Sequence, residues 1–227
     1  MLRVGLTGGL GSGKSTVAAM LREFGAEVIE SDELGRAIME PGQAVFNEIV
    51  RVFGPGVVAA DGRLNRARLA ELAFKGGRVK ELNAIIHPAV IEAQRLWMNE
   101  VFARDPAAVA VVVSALIFEV ERDARENGEA NTVFTELRKR IDRVVLVTAP
   151  DDAKIARYVG RSSPPAADRE AVEADARSRL AHQIPDSEKK PRADYVLENT
   201  GDIEALRAQV KALWPQLKRE SNLNLKR

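Results

Sequence analysis

Cysteine is absent from the 227-residue chain, which excludes disulfides, thiolate metal sites and cysteine nucleophiles. The net charge is only +1, so no overall electrostatic field predicts a nucleic-acid partner. The longest apolar run, 107–118, is interrupted by Ser114 and is too short to span a bilayer. Since the first predicted strand starts directly after Met1, we expect no signal peptide. These absences favour a cytoplasmic protein without a membrane partner.

The composition that remains is that of a globular soluble domain. Hydrophobic residues make up 45% of the chain and charged residues 30%, a balance typical of soluble domains with a buried core. The length fits one domain of ordinary size that carries inserted segments.

The most informative stretch is 8–16, which reads GGLGSGKST and fits the phosphate-loop pattern G-x-x-x-x-G-K-[ST]. A short apolar strand precedes it and a helical apolar pattern follows it, as the motif requires. Glycines allow backbone N–H groups to enclose a polyphosphate, and the helix N-terminus adds positive potential. Lys14 is expected to reach the β- and γ-phosphates and Ser15 to ligate Mg²⁺. The alternative is that this stretch is only a glycine-rich turn between a strand and a helix, without a ligand.

The apolar pattern predicts an α/β fold with a five-stranded parallel sheet flanked by helices. Its strands are expected at 2–7, 26–30, 108–113, 143–148 and 194–197. The sheet core then comprises 1–32, 106–150 and 193–220, all within a single P-loop domain of residues 1–227. A helical insertion is predicted at 33–105, with one helix ending before Pro88 because the residue before proline avoids the α region.

Two further segments are read from the same pattern. Residues 151–192 are predicted to form a helical lid, because the helix around 170–183 offers only Val172 and Leu180 as large apolar residues and is poorly anchored. Residues 221–227 are predicted to be a frayed tail.

Two carboxylates follow predicted strands at the edge of the sheet where open α/β folds bind ligands. Asp32 could accept the proton of an attacking hydroxyl, or it could simply cap the helix that starts at Glu33. Glu119 could orient metal-bound water, or it could be a solvated loop residue. Position alone leaves both alternatives open.

Basic residues suggest where the negatively charged phosphate groups bind. Arg157 and Arg161 lie one helical turn apart in the predicted lid, where they suit a transferring phosphoryl group, although surface arginines are often only solvated. The stretch 61–81 has more basic than acidic residues, which suggests an anionic acceptor. His87 could donate to a phosphate or cap a buried helix end.

Taken together, these elements resemble the dephospho-CoA kinases over nearly the whole chain. The glycine-rich loop alone is shared with many NTPases, whereas DGRLNR at 61–66 and LNAIIHP at 82–88 are far more specific. The chain departs from the family at 30–32, where ESD replaces the usual Asp-Ala-Asp but keeps the second carboxylate.

The resemblance implies a P-loop kinase that uses ATP and Mg²⁺ to phosphorylate the ribose 3′-hydroxyl of dephospho-CoA. By the family pattern, Asp32 is the catalytic base, and Arg66 and His87 join it in binding the acceptor. Arg157 and Arg161 become lid arginines that act in catalysis with Lys14, and Asn199 lies near the adenine. Gln183 and Lys189 match a lid-side pair whose role is not assigned. The remaining ATP contacts fall on the loop, at Gly11, Ser12, Gly13, Lys14, Ser15 and Thr16, and the metal contacts at Ser15 and, through water, Glu119.

Two other functions remain open from the sequence, as does the oligomeric state. One is a kinase of another small molecule or nucleotide on the same core. The other is a nucleotide-dependent switch that binds a partner protein, although the chain lacks the Asn-Lys-x-Asp run of guanine-specific switches.

Overall fold

A computed structural model of the protein describes residues 1–129, 132–163 and 165–225. The chain divides into two compact units. One consists of Met1–Val28 and Glu100–Arg227, and the other of Ile29–Asn99. The second unit covers most of the segment predicted as a helical insertion, with its limits a few residues earlier at both ends.

The sheet has five strands in the order β2-β3-β1-β4-β5. They are β1 (Leu2–Thr7), β2 (Glu27–Glu30), β3 (Val109–Val113), β4 (Arg143–Thr148) and β5 (Tyr195–Glu198). Strand β1 pairs in parallel with β3 and β4, and β4 pairs in parallel with β5. The five-stranded sheet predicted from the apolar runs is therefore confirmed.

The strands at the centre of the sheet are almost wholly apolar because both of their faces are covered. All five residues of β3 are buried, as are the last five of β4. Alternate residues of β1, β3 and β4 share one core with the buried faces of the first and last helices. A parallel sheet requires this double cover, since its crossover connections place helices on its faces.

Ten helices connect or flank the strands in the described part of the chain. In chain order they are α1 (Lys14–Glu23), α2 (Ser31–Ile38), α3 (Ala44–Phe53), α4 (Arg66–Ala70), α5 (Val79–Arg104), α6 (Ile117–Glu126), α7 (Asp151–Ser162), α8 (Arg169–His182), α9 (Asp186–Lys189) and α10 (Ile203–Asn224). Side chains cap two of these helices: Asn65 accepts from the N–H of Arg68 at the start of α4, and Asp202 accepts from that of Ala205 at the start of α10. None of the described helices is both long and apolar enough to cross a membrane.

The 29–99 unit has a hydrophobic core of its own, built around Ile49, Phe53, Val57 and Leu69. The predicted helix end before Pro88 is wrong, because α5 runs through Pro88 without a break. The apolar positions of α5 continue on both sides of the proline, with Leu82 and Ile91 both buried. Their packing offsets the loss of one backbone hydrogen bond. A turn of π-helix at Glu71–Lys75, directly after α4, has no counterpart in the prediction.

The segment predicted as a lid contains α7, α8 and α9. Helix α8 is better anchored than its few large apolar residues suggest, because Ala176 is fully buried against Ile155 and Val159 of α7. The predicted fraying from residue 221 is also wrong, since α10 continues to Asn224. Ser221 is fully buried, and its hydroxyl donates to the carbonyls of Ala107 and Ala108 at 2.9 Å. Residues 226 and 227 lie outside the described part.

Candidate nucleotide and acceptor sites

The glycine-rich loop lies between the carboxyl end of β1 and the N-terminus of α1, as the motif predicts. Gly11 and Gly13 have positive φ angles of 69° and 102°, which side-chain-bearing residues rarely adopt. A Cβ at Gly11 would overlap the carbonyl of Lys154, and one at Gly13 would overlap the amide of Asn199. These two glycines are therefore required by backbone shape and by close neighbours at once.

The first turn of α1 carries the residues predicted to meet phosphate and metal. Lys14 folds back over the loop, and its Nζ donates to the carbonyls of Gly8 at 2.8 Å and Gly9 at 2.9 Å. Ser15 is exposed and Thr16 half-buried. The N–H groups at a helix start have no intrahelical acceptors, and here no side chain caps them. Such a start is suited to binding an anion.

Asn199 connects the loop to α7. Its side-chain Nδ2 donates to the backbone carbonyl of Ser12 at 2.8 Å, and its backbone carbonyl accepts from Nη2 of Arg157 at 2.9 Å. Asn199 is itself buried. The structure thus brings together Ser12, Asn199 and Arg157, three residues that the sequence predicts to serve one nucleotide.

Two contacts to the loop were not predicted in this form. The side-chain carbonyl of Gln183, after α8, accepts from the N–H of Leu10 at 3.1 Å. Lys154, in α7, is buried and pairs with Asp186 at 2.7 Å and Asp151 at 3.0 Å. The backbone carbonyl of Lys154 lies against Gly11 of the loop. The resemblance to the family points to Gln183, but no sequence pattern points to Lys154, because any residue could supply a backbone carbonyl.

Glu119 lies inside the molecule in the first turn of α6, which excludes the solvated-loop alternative. Its Oε1 is 2.7 Å from Nζ of the fully buried Lys189 and also accepts from the N–H of Ile184 at 3.0 Å. The two side chains form an ion pair, although Nζ of Lys189 makes no hydrogen bond within the described chain. Two charges buried this deeply offset the cost of their desolvation only when each keeps its partner in a close and well-oriented contact.

Several buried polar atoms around the loop lack a hydrogen-bond partner within the described chain. They are the hydroxyls of Thr7 and Ser12, Oε2 of Glu119 and Nη1 of Arg157. Buried polar groups are normally paired, so each of these atoms can bind a polar ligand. Arg161, by contrast, is exposed, and its guanidinium lies 5.8 Å from the ring centre of Tyr158.

One half-buried arginine contacts the helix that carries Glu119. Nη2 of Arg140 donates to the carbonyl of Ile117 at 3.2 Å, at the start of α6. Burial lowers the pKa of Arg140 to about 10, against the opposing effect of the Glu121 carboxylate. The guanidinium therefore remains charged at neutral pH, and it supports the helix start with a charge-assisted hydrogen bond.

The predicted acceptor residues lie in the 29–99 unit. Asp32 is exposed in the first turn of α2, which begins at Ser31, so the alternative that Asp32 caps this helix is wrong. His87 is half-buried in α5. Arg66 opens α4 and lines a cleft of about 410 Å³, whereas Asp32 and His87 are not among the residues that line it.

Comparison with known proteins gives one consistent relationship. The family model for dephospho-CoA kinase matches residues 2–205. The chain is 37% identical over 216 residues to the dephospho-CoA kinase of Geobacillus kaustophilus, covering 95% of this chain and 96% of that one. It is 36% identical over 220 residues to the Moorella thermoacetica enzyme of the same name, covering 96% and 93% of the two chains.

Two solved structures are similar in fold. The fold is similar to that of TT1252 from Thermus thermophilus, with a TM-score of 0.70 and 36% identity over 95% of this chain and 97% of that one. A dephospho-CoA kinase from Campylobacter jejuni has the same fold, with a TM-score of 0.62 and 18% identity over 96% and 97% of the chains. By the extent and identity of the sequence match, this chain belongs to the dephospho-CoA kinase family.

Proposed function

We propose that the protein transfers the γ-phosphoryl group of ATP to the ribose 3′-hydroxyl of dephospho-CoA, which yields CoA and ADP and completes CoA synthesis. The family match supports the reaction, and the geometry of the glycine-rich loop supports the nucleotide half of it. Both substrates are small polar molecules of the cytoplasm, and the proposal places the enzyme there.

In this proposal the loop and the start of α1 hold the triphosphate. Backbone N–H groups from Gly11 to Thr16 surround the phosphates, and Lys14 exchanges its loop carbonyls for β- and γ-phosphate oxygens. Asn199, held between Ser12 and Arg157, lies beside the nucleoside. The unpaired hydroxyl of Ser12 and the unpaired Nη1 of Arg157 support this assignment, because a bound nucleotide would give both a partner.

Mg²⁺ fits the residues that are present. Magnesium at kinase sites is typically held by one or two protein oxygens together with substrate phosphates and water. Ser15 is exposed at the helix start and would ligate the ion through its hydroxyl. Glu119 keeps one buried oxygen without a partner, which suits a hydrogen bond from metal-bound water. When bound, the ion neutralises charge that develops between the β- and γ-phosphates.

The acceptor half of the proposal assigns Asp32 to the reacting hydroxyl, with Arg66 and His87 as binding residues. The exposed carboxylate of Asp32 is free of the capping role, so it is available to orient the hydroxyl and accept its proton. Phosphoryl transfer passes through a loose transition state, so orientation contributes more than proton removal. Arg157 and Arg161 neutralise developing charge, and closure of α7 and α8 excludes water that would otherwise hydrolyse ATP.

The observation that carries the proposal is the loop with two obligatory glycines and a lysine folded over it, in a chain of this family. A coupled ADP-release assay with ATP, Mg²⁺ and dephospho-CoA tests it directly. Asp32→Asn is expected to lower kcat by at least about tenfold, less than the roughly 10²–10⁴-fold typical of a general base, because orientation of the hydroxyl contributes more than proton removal. Glu33→Gln, which changes the adjacent exposed carboxylate in the same helical turn, is the matched control and should retain activity.

Three results would redirect the proposal. A kcat of Asp32→Asn within about threefold of wild type, under 1 kcal/mol of barrier, would remove Asp32 from its role. Turnover of a nucleoside monophosphate with none of dephospho-CoA would make the protein another kinase on the same core. Slow ATP hydrolysis with no small-molecule acceptor would instead favour a nucleotide-dependent switch.

A further inference from the structure

The 29–99 unit contains a cleft that the reacting groups do not use. It has a volume of about 410 Å³, within the range of small-molecule sites, and it lies over the hydrophobic core of that unit. Its wall is mostly aliphatic, formed by Met39, Leu64, Leu69, Ala70, Leu82 and Ile86. We propose that this cleft binds the pantetheine arm of the acceptor, an inference that rests on the proposed function.

Phe74 gives the cleft an exposed aromatic edge. It lines the cleft and is 71% exposed, the highest value among the large apolar residues of the described chain. It lies in the π-helical turn at Glu71–Lys75, and such turns are frequent at functional sites because they redirect side chains out of the regular helical register. An exposed ring that continues an apolar wall provides a contact surface for an apolar ligand group.

Arg66 supplies a cation at the same cleft. The neighbouring arginines are neutralised, since Arg63 pairs with Glu40, Arg68 with Glu71 and Arg78 with Glu81. Arg66 has no acidic partner among the described residues. An unpaired guanidinium beside an apolar wall matches a ligand that joins a phosphate to an apolar chain. In dephospho-CoA the diphosphate is joined to pantetheine, whose geminal dimethyl group is its most apolar part.

The position of the reacting groups selects the end of the acceptor that enters. Asp32 and His87 lie in the same unit but do not line the cleft. The part of the acceptor bound here is therefore remote from the 3′-hydroxyl. The adenosine carries that hydroxyl, so the arm beyond the diphosphate is the occupant. The arm contacts Phe74 and the aliphatic wall, and the diphosphate contacts Arg66.

Two acceptors separate arm recognition from the rest of binding. One is dephospho-CoA, and the other is the ethyl ester of ADP, which keeps the adenosine and the diphosphate but lacks pantetheine. The wild-type kcat/KM should be at least about tenfold higher for dephospho-CoA, since burying apolar groups of this size gives about 1.4 kcal/mol or more. Phe74→Ala should remove most of that preference while leaving kcat/KM for the ethyl ester within about twofold.

Three companion variants sharpen the test. Phe74→Leu keeps apolar bulk and should lose less of the preference. Arg66→Ala should lower kcat/KM for both acceptors alike, because both carry the diphosphate. Leu96→Ala changes another exposed apolar residue of this unit that does not line the cleft, and it should leave both values unchanged. Thermal unfolding of each variant establishes that it is folded; since Phe74 is exposed, its replacement should barely move the midpoint.

The outcomes discriminate between this inference and the proposed function. A wild type that uses both acceptors equally well overturns the role of the cleft alone. Equal losses for both acceptors in Phe74→Ala do the same, since they place Phe74 outside arm recognition. A wild type that binds ATP but phosphorylates neither acceptor overturns the proposed function itself.

Discussion

The side-chain amide of Asn199 donates a 2.8 Å hydrogen bond to the carbonyl of Ser12, 187 residues away in sequence. This bond connects the end of β5 to the glycine-rich loop. The same side chain lies where a Cβ at Gly13 would have to be. Asn199 therefore supports the loop from one side and requires a glycine in it.

Asn199→Ala is expected to raise the Kd for ATP and to lower the free energy of unfolding by about 1–3 kcal/mol, because the buried carbonyl of Ser12 loses its hydrogen-bond donor, whereas Arg157 keeps its bond to the backbone carbonyl of residue 199. Isothermal titration with ATP and urea unfolding measure the two effects. Asn224→Ala, which removes one exposed bond to the carbonyl of Met1, is the control. Unchanged ATP affinity would show that Asn199 has only a structural role.

The two arginines of α7 are expected to act at different steps. Arg157 is bonded to Asn199, so Arg157→Ala should mainly raise the KM for ATP. Arg161 is exposed and has the proposed role of neutralising charge that develops on the transferring phosphoryl group. Arg161→Ala should therefore lower kcat by about tenfold or more with little change in the KM for dephospho-CoA. Arg169→Ala, an exposed arginine at the start of α8, is the control. A large rise in the KM for dephospho-CoA with kcat unchanged would assign Arg161 to the acceptor instead.

Lys189→Met is expected to destabilise the protein by about 3–5 kcal/mol, because it leaves Glu119 charged and buried without its partner. The double variant with Glu119→Gln should be less destabilised than the sum of the two single variants, since no uncompensated charge remains. Urea unfolding of the four proteins measures this coupling. Additive losses would mean that the pair does not interact in the folded protein.

Arg3 and Asp142 predict a contribution to stability that depends on pH. Burial raises the pKa of Asp142, but hydrogen bonds and charge from Arg3 outweigh it, so the pKa is lowered overall. A lowered pKa in the folded state gives stability that is present above the unfolded value near 3.9 and is lost as pH falls through the folded value. Arg3→Gln should therefore cost about 0.5–1 kcal/mol near neutral pH, a value reduced for partial solvent exposure.

The difference between wild type and Arg3→Gln should shrink as pH falls below about 4 and then through the lowered pKa of Asp142 in the folded wild type, where its carboxylate becomes protonated. The bond from Arg3 to the carbonyl of Lys139 does not titrate and leaves a small residual difference. Urea unfolding between neutral and acidic pH measures the effect. A difference that stays constant through this range would exclude the carboxylate of Asp142 as its source.

The sheet and the glycine-rich loop could be predicted because their signals are local. Runs such as 108–113 are apolar because both faces of the strand are covered, and the loop spacing is fixed by one turn of backbone. The prediction at Pro88 is wrong for a physical reason. A local rule about proline was outweighed by tertiary packing of Leu82 and Ile91 on either side of it.

The contacts that assemble the site had no such signal. Lys154 acts on Gly11 through its backbone carbonyl, which any residue could supply. Glu119 and Lys189 are ordinary charged residues in the sequence, and only the fold brings them together inside the protein. The π-helical turn that carries Phe74 differs from an α-helix by a single residue of register, which apolar periodicity does not resolve over five residues.

The side chain of Leu10 has a consequence for how nucleotide and lid affect one another. It projects from the glycine-rich loop into the apolar contact between α7 and α8, beside Ile155 and Val159. Separating these helices from the loop would expose that leucine to water. By thermodynamic reciprocity, a ligand that fixes the loop also favours the packing of α7 and α8 against Leu10. That packing in turn raises the affinity of the loop for the ligand.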